Sequence, residues 1–489
     1  MSEVTSVNGM TGAVVLTAAD VEAVPTSAEG QPSGVATLDG SGVLKEAQLS
    51  GSVVSGSAGA SPAQIVPVAM AITKEAPVNP LHPSFGALGN ESHDDTAALQ
   101  AAITYARTAG QKGGVGELYI PGGVYKLSAF LNLGTVSGLK IRGDGEETVL
   151  KQFTNNEPIL QREGSEGVYD GLVSGLKLNY ASQQNQTEHP KSVAVSLLNS
   201  MTGGTGGFAE HVFRDLWINY ATTCFEWGPT GSATAVPFWN NKLDNIICGN
   251  ISLHLLNNNI VSGSVGGPTN EISRLTHIGR TIAPTGVALN LRAGHEWVFN
   301  SLDIEDWQDS LLYATGTSQV VINGMHVERH HLVSNAAKVF NVSGSQFTLK
   351  GLNGSYYRDG TGPYYLFAME SSRGEIGNFH SFDYSEHLGS GILRHFLFNG
   401  SGGAFQIGPR ESSSGNIVDW LKEESAMLVQ LYSDCGLPPV WDSSVALPTA
   451  SATYRGRFFY LKGTNTTTAD HLVVCRQNEK NEYAWVNVF

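Results

Sequence analysis

Apolar and polar residues alternate in a short phrase that recurs through the middle of the chain. In most copies the second and fourth places are apolar and the others polar, the period of two expected of a strand with one buried face. The copies are GLKIRG at Gly138, GLKLNY at Gly175, DLWINY at Asp215, DNIICG at Asp244, RLTHIG at Arg274, SLDIED at Ser301, GMHVER at Gly324, GLNGSY at Gly351 and NFHSFD at Asn378. They begin about 23 to 40 residues apart, which predicts one solenoid turn per copy. We therefore expect an all-β fold, a right-handed single-stranded parallel β-helix.

The composition suits a solenoid that turns several times per rung. Of 489 residues, 57 are glycine, the residue that adopts positive φ at sharp turns most readily. Charged residues amount to 15%, compared with roughly 25% in an average soluble protein. The remaining polar surface is rich in Ser, Thr, Asn and Gly, whose chemistry suits neutral hydrogen-bonding partners such as sugars.

Charge and hydropathy exclude several classes of partner. The net charge of −15 and the absence of a basic run exclude a nucleic-acid partner, because phosphate binding needs clustered Lys and Arg. No apolar run approaches about 18 residues, and MSEVTSVNGM lacks the regions of a secretory signal. We expect no membrane insertion and no export by the ordinary secretory route. The cysteines lack metal-binding spacing, so we expect buried free thiols and neither a metal nor a cofactor. They are Cys224, Cys248, Cys435 and Cys475.

Composition shifts divide the chain into five parts. The first, 1–50, contains two β-rich runs around Asn8-Gly9, too small to bury a core alone, which predicts attachment or oligomerisation. A stretch rich in Gly, Ser, Ala and Pro follows at 51–84 and predicts a linker or neck. We place the β-helix body at 85–410, a connecting segment, helical or irregular, at 411–437, and a C-terminal β module for trimerisation or host binding at 438–489.

A helix near 94–109 is predicted at the start of the body. Asp94, Asp95 and Thr96 provide an amino-terminal cap, and Ala98, Ile103 and Ala106 form an apolar face. A helix across the first rung would cover the open solenoid end, whose strand edges are otherwise unpaired. The Asp pair has the look of a catalytic pair, but its place before a helix favours capping.

Three segments carry a resemblance to known proteins. Phe85-Gly86-Ala87, Asp94 to Ile103, and Leu118 to Tyr125 with its Pro121-Gly122-Gly123 turn resemble the entry motif of pectate-lyase-like β-helix proteins, especially bacteriophage tailspikes. The segments VTSVNGMTGAVVLTAADV and GVATLDGSGVL are similar to segments of phage tail fibres and minor tail proteins. The C-terminal YRGRFFYLKGTNTTTADHLVVCRQNEKNEYAWVNVF resembles the small β module of minor tail proteins from phages of actinobacteria.

The resemblance implies a homotrimer in the virion tail, made in the host cytoplasm. Its amino end would contact other phage tail or baseplate proteins, and its β-helices would face the host surface. One departure is the turn before the Asp pair, where the usual GDG is replaced by Gly89-Asn90-Glu91-Ser92-His93. This looser turn leaves the fold prediction intact and weakens a finer subfamily assignment.

Outward residues of successive phrases should form columns, because parallel strands stack about 4.8 Å apart. Two rungs then place Asp303 and Glu305 beside His326 and Glu328. Carboxylates so close repel, so one is prepared as an acid while the other stays ionised. This suits a glycosidase pair. It equally suits a lyase, with His326 or a carboxylate as base and Arg329 stabilising developing charge.

Aromatic residues crowd the same region and offer flat faces to sugar rings. We predict substrate binding by Arg329 and by four aromatic residues: Trp297, Trp307, Tyr356 and Tyr357. Structural roles remain open for all of these residues, since outward acids are often paired with each other and aromatics often pack in a core.

The sequence leaves three functions open. The first is recognition of host cell-surface polysaccharide with cleavage by a glycosidase or lyase. The second is recognition without cleavage, as an adhesin, and the third is a purely structural role in the tail. The first two share fold, ligand and location, so the acidic cluster is the feature that discriminates between them.

Overall fold

The computed structural model describes most of the body and parts of both ends. The described residues are 6–7, 10–11, 77–111, 116–164, 168–199, 208–227, 238–258, 267–279, 286–292, 295–316, 319–388, 393–399, 404–407, 410–412, 421–423, 428–431, 440–442, 447, 449–450, 458–462, 471–478 and 482–487. The chain divides into two units, Met1–Lys74 and Glu75–Phe489.

In the first unit, β1 (Ser6–Val7) and β2 (Met10–Thr11) pair as antiparallel strands. This confirms the two β-rich runs predicted there. The rest of the predicted attachment module and the neck up to residue 76 lie outside the described residues.

The second unit is a parallel β-helix made mainly of two long sheets. The larger, which we call the bent sheet, contains β3 (Asn90–Asp94), β4 (Glu117–Ile120), β5 (Gly123–Leu127), β7 (Lys140–Gly143), β8 (Thr148–Gln152), β11 (Leu172–Tyr180), β14 (Val212–Asn219), β17 (Lys242–Gly249), β19 (Gly267–Ile278), β21 (His295–Glu305), β23 (Gln319–Ile322), β24 (Met325–Leu332), β26 (Gln346–Arg358), β28 (Arg373–Leu388), β30 (Ala404–Ile407), β31 (Arg410–Ser412) and β33 (Leu428–Leu431).

The second sheet runs along another side of the solenoid. It contains β6 (Leu131–Asn132), β9 (Leu160–Gly164), β12 (Val193–Asn199), β15 (Thr223–Trp227), β18 (His254–Asn258), β20 (Val287–Arg292), β22 (Ser310–Thr315), β25 (Lys338–Ser343), β27 (Tyr364–Glu370), β29 (Leu393–Asn399) and β32 (Leu421–Glu423). A short three-stranded sheet joins β10 (Val168–Tyr169), β13 (Phe208–Ala209) and β16 (Phe238–Trp239). The predicted parallel β-helix is confirmed.

Residues with left-handed backbone conformation divide five strands of the bent sheet, β11, β14, β17, β19 and β21, into two faces. At the first corner, Gly175, Asp215, Asn245, Arg274 and Ser301 all have φ between 52 and 64°. Face A is the part before this corner, at 212–214, 242–244, 271–273 and 298–300. Face B follows it, at 216–219, 246–249, 275–278, 302–305 and 325–328. A second left-handed corner ends face B at Tyr220, Asn250, Asp306 and Arg329.

The strand register corrects two copies of the repeated phrase. Lys140 pairs with Leu172, so GLKIRG lies on face A, and Val149 of β8 is the face B neighbour of Lys177. In the fourth copy Asn245, not Asp244, occupies the corner, which makes Cys248 an inward residue. An alternating pattern fixes which residues share a face but not where a corner falls, because a one-residue slip reverses inward and outward places.

The amino-terminal helix α1 (Thr96–Gln111) caps the first rung as predicted. Asp94 accepts a hydrogen bond from the backbone N–H of Thr96, at 3.1 Å, and another from the Ser128 hydroxyl. The Ser128 bond is the main cause that lowers the pKa of Asp94. Asp95 is buried and instead accepts the backbone N–H groups of Leu88 and Gly89. Both carboxylates therefore make structural contacts at the end of the solenoid.

No helix among the described residues is long and apolar enough to cross a membrane.

The connecting segment predicted as helical or irregular contains two strands instead. β32 pairs with β29, so the second sheet continues to residue 423, and β33 pairs with β30, so the bent sheet continues to residue 431. Backbone pairing with the preceding rung competes with helix formation here, since every polar backbone group on a rung edge needs a partner.

At the C-terminus, β34 (Val440–Asp442), β35 (Phe458–Lys462), β36 (His471–Gln477) and β37 (Tyr483–Asn487) form a four-stranded sheet. Val473 and Cys475 form its small core with Leu447, Ala450, Tyr483 and Trp485. Cys224, Cys248 and Cys475 are buried free thiols, as predicted, with the Sγ atoms of Cys224 and Cys248 3.0 Å apart. Cys435 lies outside the described residues.

Candidate functional site: an acidic cluster at the second corner

The predicted pairing of the two glutamates is confirmed by the register. Glu305 is opposite Glu328 on the neighbouring strand, and Asp303 is opposite His326. Between them, Leu302, Ile304 and Val327 point into the core, so period two directs the polar residues outward. The side chains of Glu305 and Glu328 are 21% and 37% exposed, so both carboxylates are within reach of a ligand on face B.

Arg329 ties three carboxylates together. Its Nε and Nη2 bind Asp306 at 2.8 and 3.0 Å, its Nη2 binds Glu305 at 2.9 Å, and its Nη1 binds Glu328 at 2.8 Å. These contacts use four of its five N–H groups. The hydrogen bonds to Asp306 are the main reason that the pKa of Arg329 is raised. Arg329 therefore mainly holds the three acidic side chains in position, and one N–H remains for a ligand.

Asp306, an additional acid near the predicted cluster, was not among the predicted site residues. It and Arg329 occupy equivalent left-handed positions of the second corner, with φ of 52° in each. Such a conformation costs an ordinary residue roughly 1–2 kcal/mol. The bidentate ion pair between the two side chains offsets part of this cost. The sequence signal was an Asp and an Arg at the same place of successive phrases.

The cluster carries excess negative charge. Four carboxyl groups, those of Asp303, Glu305, Asp306 and Glu328, face the single guanidinium of Arg329. Burial raises the pKa of Glu305, and the neighbouring Glu328 carboxylate raises it further, whereas Arg329 opposes the shift. Glu305 accordingly holds a proton more readily than an ordinary glutamate does.

Asp303 and His326 form a second, looser pair. The His326 Nδ1 lies 3.3 Å from the Asp303 Oδ1, an atom that is shielded from solvent. The side chains are 48% and 38% exposed. A protonated imidazole would form an ion pair here, and a neutral one would present a base on face B.

Two buried histidines lie on the core side of the site. His277 occupies an inward place of the phrase, where its Nδ1–H donates to the Glu305 carbonyl at 2.8 Å and its ring packs on Trp307. His330 is fully buried against Tyr356. Burial lowers the pKa of each to about 4, so both are neutral near pH 7. The signal in sequence was a polar residue at a place that is otherwise apolar.

Three of the four aromatic residues predicted to bind sugar are in the core. Trp297 packs among Trp227, Phe238 and Phe299 and is 0% exposed. Trp307 and Tyr356 are also fully buried, and the Trp307 Nε1–H donates to the Gly286 carbonyl. These rings offer no face to a sugar, so this part of the prediction is wrong. The inward direction of a ring depends on the corner position, which the alternation did not reveal.

Tyr357 is the one predicted aromatic that is partly exposed. It lies beside His331 with ring centroids 5.0 Å apart, and the His331 Nδ1 is 2.6 Å from Asp359 Oδ2. Among the described residues, no group of three or more His, Cys, Asp or Glu is arranged to hold a metal ion.

Comparison with known proteins agrees with this architecture. Residues 83–312 match the sequence profile of a family described as rhamnogalacturonase A/epimerase, pectate lyase-like. The match includes Glu305 and ends before Glu328. No curated protein matches the chain significantly.

Solved structures similar to this one include phage tailspikes. Tailspike protein 2 of an Escherichia coli bacteriophage has 14% identity and a TM-score of 0.47, over 84% of this chain and 53% of that one. The tailspike of an Acinetobacter phage has 12% identity and a TM-score of 0.43, over 84% of this chain and 82% of that one. PfbA, a surface adhesin of Streptococcus pneumoniae, has 9% identity and a TM-score of 0.47, over 84% of this chain and 100% of that one. Identities this low say nothing about a shared activity.

Proposed function

We propose that the protein is a tail component of a bacteriophage that binds host cell-surface polysaccharide and cleaves it at the acidic cluster. The observation that carries the proposal is the opposition of Glu305 and Glu328 on consecutive rungs, with both carboxylates on one guanidinium. The family match over 83–312 supports action on a polysaccharide. The sequence segments similar to phage tail proteins support a place in the tail. Assembly as a homotrimer, with the amino end on the virion, belongs to the same proposal.

The spacing favours hydrolysis with a covalent intermediate. The strand spacing of about 4.8 Å is closer to the roughly 5–5.5 Å between the carboxyl groups of retaining glycosidases than to the roughly 6.5–9.5 Å of inverting enzymes. Glu305, with its raised pKa, would donate a proton to the glycosidic oxygen. Glu328, bound to Arg329, would attack the anomeric carbon as the bond from that carbon to the protonated glycosidic oxygen breaks. Water, losing a proton to Glu305, would then displace Glu328 and release the sugar.

The contacts of Arg329 weigh against an elimination mechanism. A lyase would need a cation free to stabilise charge on the sugar, and Arg329 already binds three carboxylates. The Asp303–His326 pair could still supply a base. Elimination leaves an unsaturated, ultraviolet-absorbing sugar at the new chain end, so the two chemistries give different products.

The test is to incubate the purified protein with bacterial cells and with their isolated surface polysaccharide, and to measure the size of the glycan. We expect shortened oligosaccharides from the wild type and none from Glu305→Gln or Glu328→Gln. Glu271→Gln on face A is the matched control, because Glu271 is a partly exposed, ion-paired acid away from the cluster. Full activity in both cluster variants would remove this site.

One observation favours a second function, binding of the polysaccharide without cleavage. The ion pairs of Arg329 engage three of the four carboxylates of the acidic cluster, as expected of a purely structural network. In that case the protein is an adhesin, and the wild type binds the polysaccharide without shortening it. Absence of any binding would leave the third role, a passive part of the tail.

A further inference from the structure

A column of outward residues runs along face B and leads to the acidic cluster. Successive strands pair Lys177 with Trp217, Trp217 with Ile247, Ile247 with Thr276, and Thr276 with Asp303. The register is unbroken over these rungs. Trp217 thus lies three strands from Asp303, about 14 Å along the solenoid axis.

Trp217 is a partly exposed ring on this face. Its neighbours Leu216 and Ile218 are fully buried, so the period of two turns the indole outward. Beside it lies the turn at Gly145, where a Cβ atom would come within 4.0 Å of the indole Cζ3. Gly145 has no side chain, so none from this residue covers that part of the ring.

A polar group is positioned next to the ring. Asn219 is two residues further along β14 and points to the same side. Its Oδ1 lies 2.4 Å from the place where a Cβ of Gly249 would be, so the amide rests on the glycine of the next strand. An apolar ring flanked by an amide is the combination that sugar recognition uses, with stacking on the C–H face and hydrogen bonds to hydroxyls.

The path between Trp217 and the acids is lined by short side chains. Ile247 and Thr276 occupy the column, and both are partly exposed. The rung spacing of about 4.8 Å is close to the length of one pyranose unit in an extended chain. One sugar per rung would therefore bridge the distance from the indole to the carboxylates.

We propose that Trp217 and Asn219 form a sugar-binding subsite for a polysaccharide that lies along the solenoid axis, about three sugar units from the acidic cluster. This inference rests on the proposed function, because it assigns a binding mode to that polysaccharide. It also gives the chain direction, along the stacked strands rather than across them.

The test uses the double variant Glu305→Gln/Glu328→Gln, which keeps a bound chain uncut. Calorimetric titration is done with polysaccharide isolated from a bacterial strain to which fluorescently labelled wild type adsorbs. Adding Trp217→Ala should weaken the affinity roughly tenfold or more, and Trp217→Phe much less, because a phenyl ring keeps part of the stacking surface. Trp239→Ala is the control, since Trp239 is partly exposed on the short three-stranded sheet.

The outcomes separate this inference from the proposed function. Unchanged affinity in Trp217→Ala, with the wild type still binding, would overturn the subsite and leave the function intact. A change in sedimentation of Trp217→Ala would overturn it in favour of a subunit contact. Absence of binding by the wild type would overturn both. The Phe variant, with the thermal midpoint of the wild type, excludes misfolding as the cause of weakened binding.

Discussion

Glu305 and Glu328 are direct neighbours on parallel strands, and each binds a different nitrogen of the same guanidinium. Backbone stacking sets their separation, and Arg329 sets their orientation. An acid pair built this way depends on the one residue that holds it, which makes Arg329 the most informative position to change.

Arg329→Met should lower the free energy of unfolding by about 1–3 kcal/mol, because it removes charge-assisted hydrogen bonds to three partly buried acids. Denaturant titration measures this. Arg274→Met is the control: its bidentate pair with Asp244 is more exposed, and we expect a loss below about 1 kcal/mol. Equal losses in both variants would contradict a special role for the cluster.

Arg329→Met should also change the pH dependence of cleavage. Arg329 opposes the upward shift in the pKa of Glu305, so its removal lets that pKa rise further. A proton donor works below its pKa, and the alkaline limb of the pH–activity profile should therefore move to higher pH. An unchanged or lowered limb would show that Glu305 is not the acid.

Stability should fall in mild acid because of buried histidines. The pKa of His277 is about 4, compared with roughly 6.5 in an unfolded chain, so the unfolded state takes up the proton first. The stability contributed by a neutral His277 is present above pH 6.5 and is lost as the pH falls towards 4. Between pH 7 and 5 this loss is about 2 kcal/mol.

His277→Gln should remove this part of the pH dependence while keeping a donor for the Glu305 carbonyl. Urea unfolding at pH 7 and pH 5 measures the difference. Ile304→Val, a core substitution on the next strand, should cost about 1 kcal/mol equally at both values. An identical acid loss in wild type and His277→Gln would contradict the prediction.

Trp297→Ala should destabilise the protein by about 3–5 kcal/mol, because the indole is fully buried in an aromatic stack. Trp297→Phe should fold and bind polysaccharide like the wild type, which distinguishes a core residue from a ligand contact. Loss of binding by a stably folded Trp297→Phe would return this residue to the list of ligand contacts.

Ser301→Gly should stabilise the protein by up to about 1 kcal/mol, because Ser301 has a φ of 59° at the first corner and glycine adopts this conformation without steric cost. Ser310→Gly in β22 is the matched control and should destabilise by roughly 0.5–1 kcal/mol. Thermal unfolding compares the two, and a destabilised Ser301→Gly would contradict a strained corner.

The repeated phrase was sufficient to predict the fold and the partners of Glu305 and Asp303, because period two and rung length both follow from backbone geometry. It failed at GLKIRG and at Asp244, since the residues that mark a corner, such as Asp215 and Arg274, have no shared side-chain type. The outward direction of Trp217 follows from its third place in a phrase, but Trp297 lies outside every copy, so its inward direction was not predicted. The network around Arg329 depends on side-chain reach across a corner, which alternation does not encode.

The placing of the two glutamates on consecutive rungs has an evolutionary consequence. Duplication or loss of a rung between Trp217 and Asp303 would lengthen or shorten the path along face B by one step and leave the glutamate pair untouched. Under the proposed function, the length of glycan bound along face B and the acid pair at its end can therefore change separately.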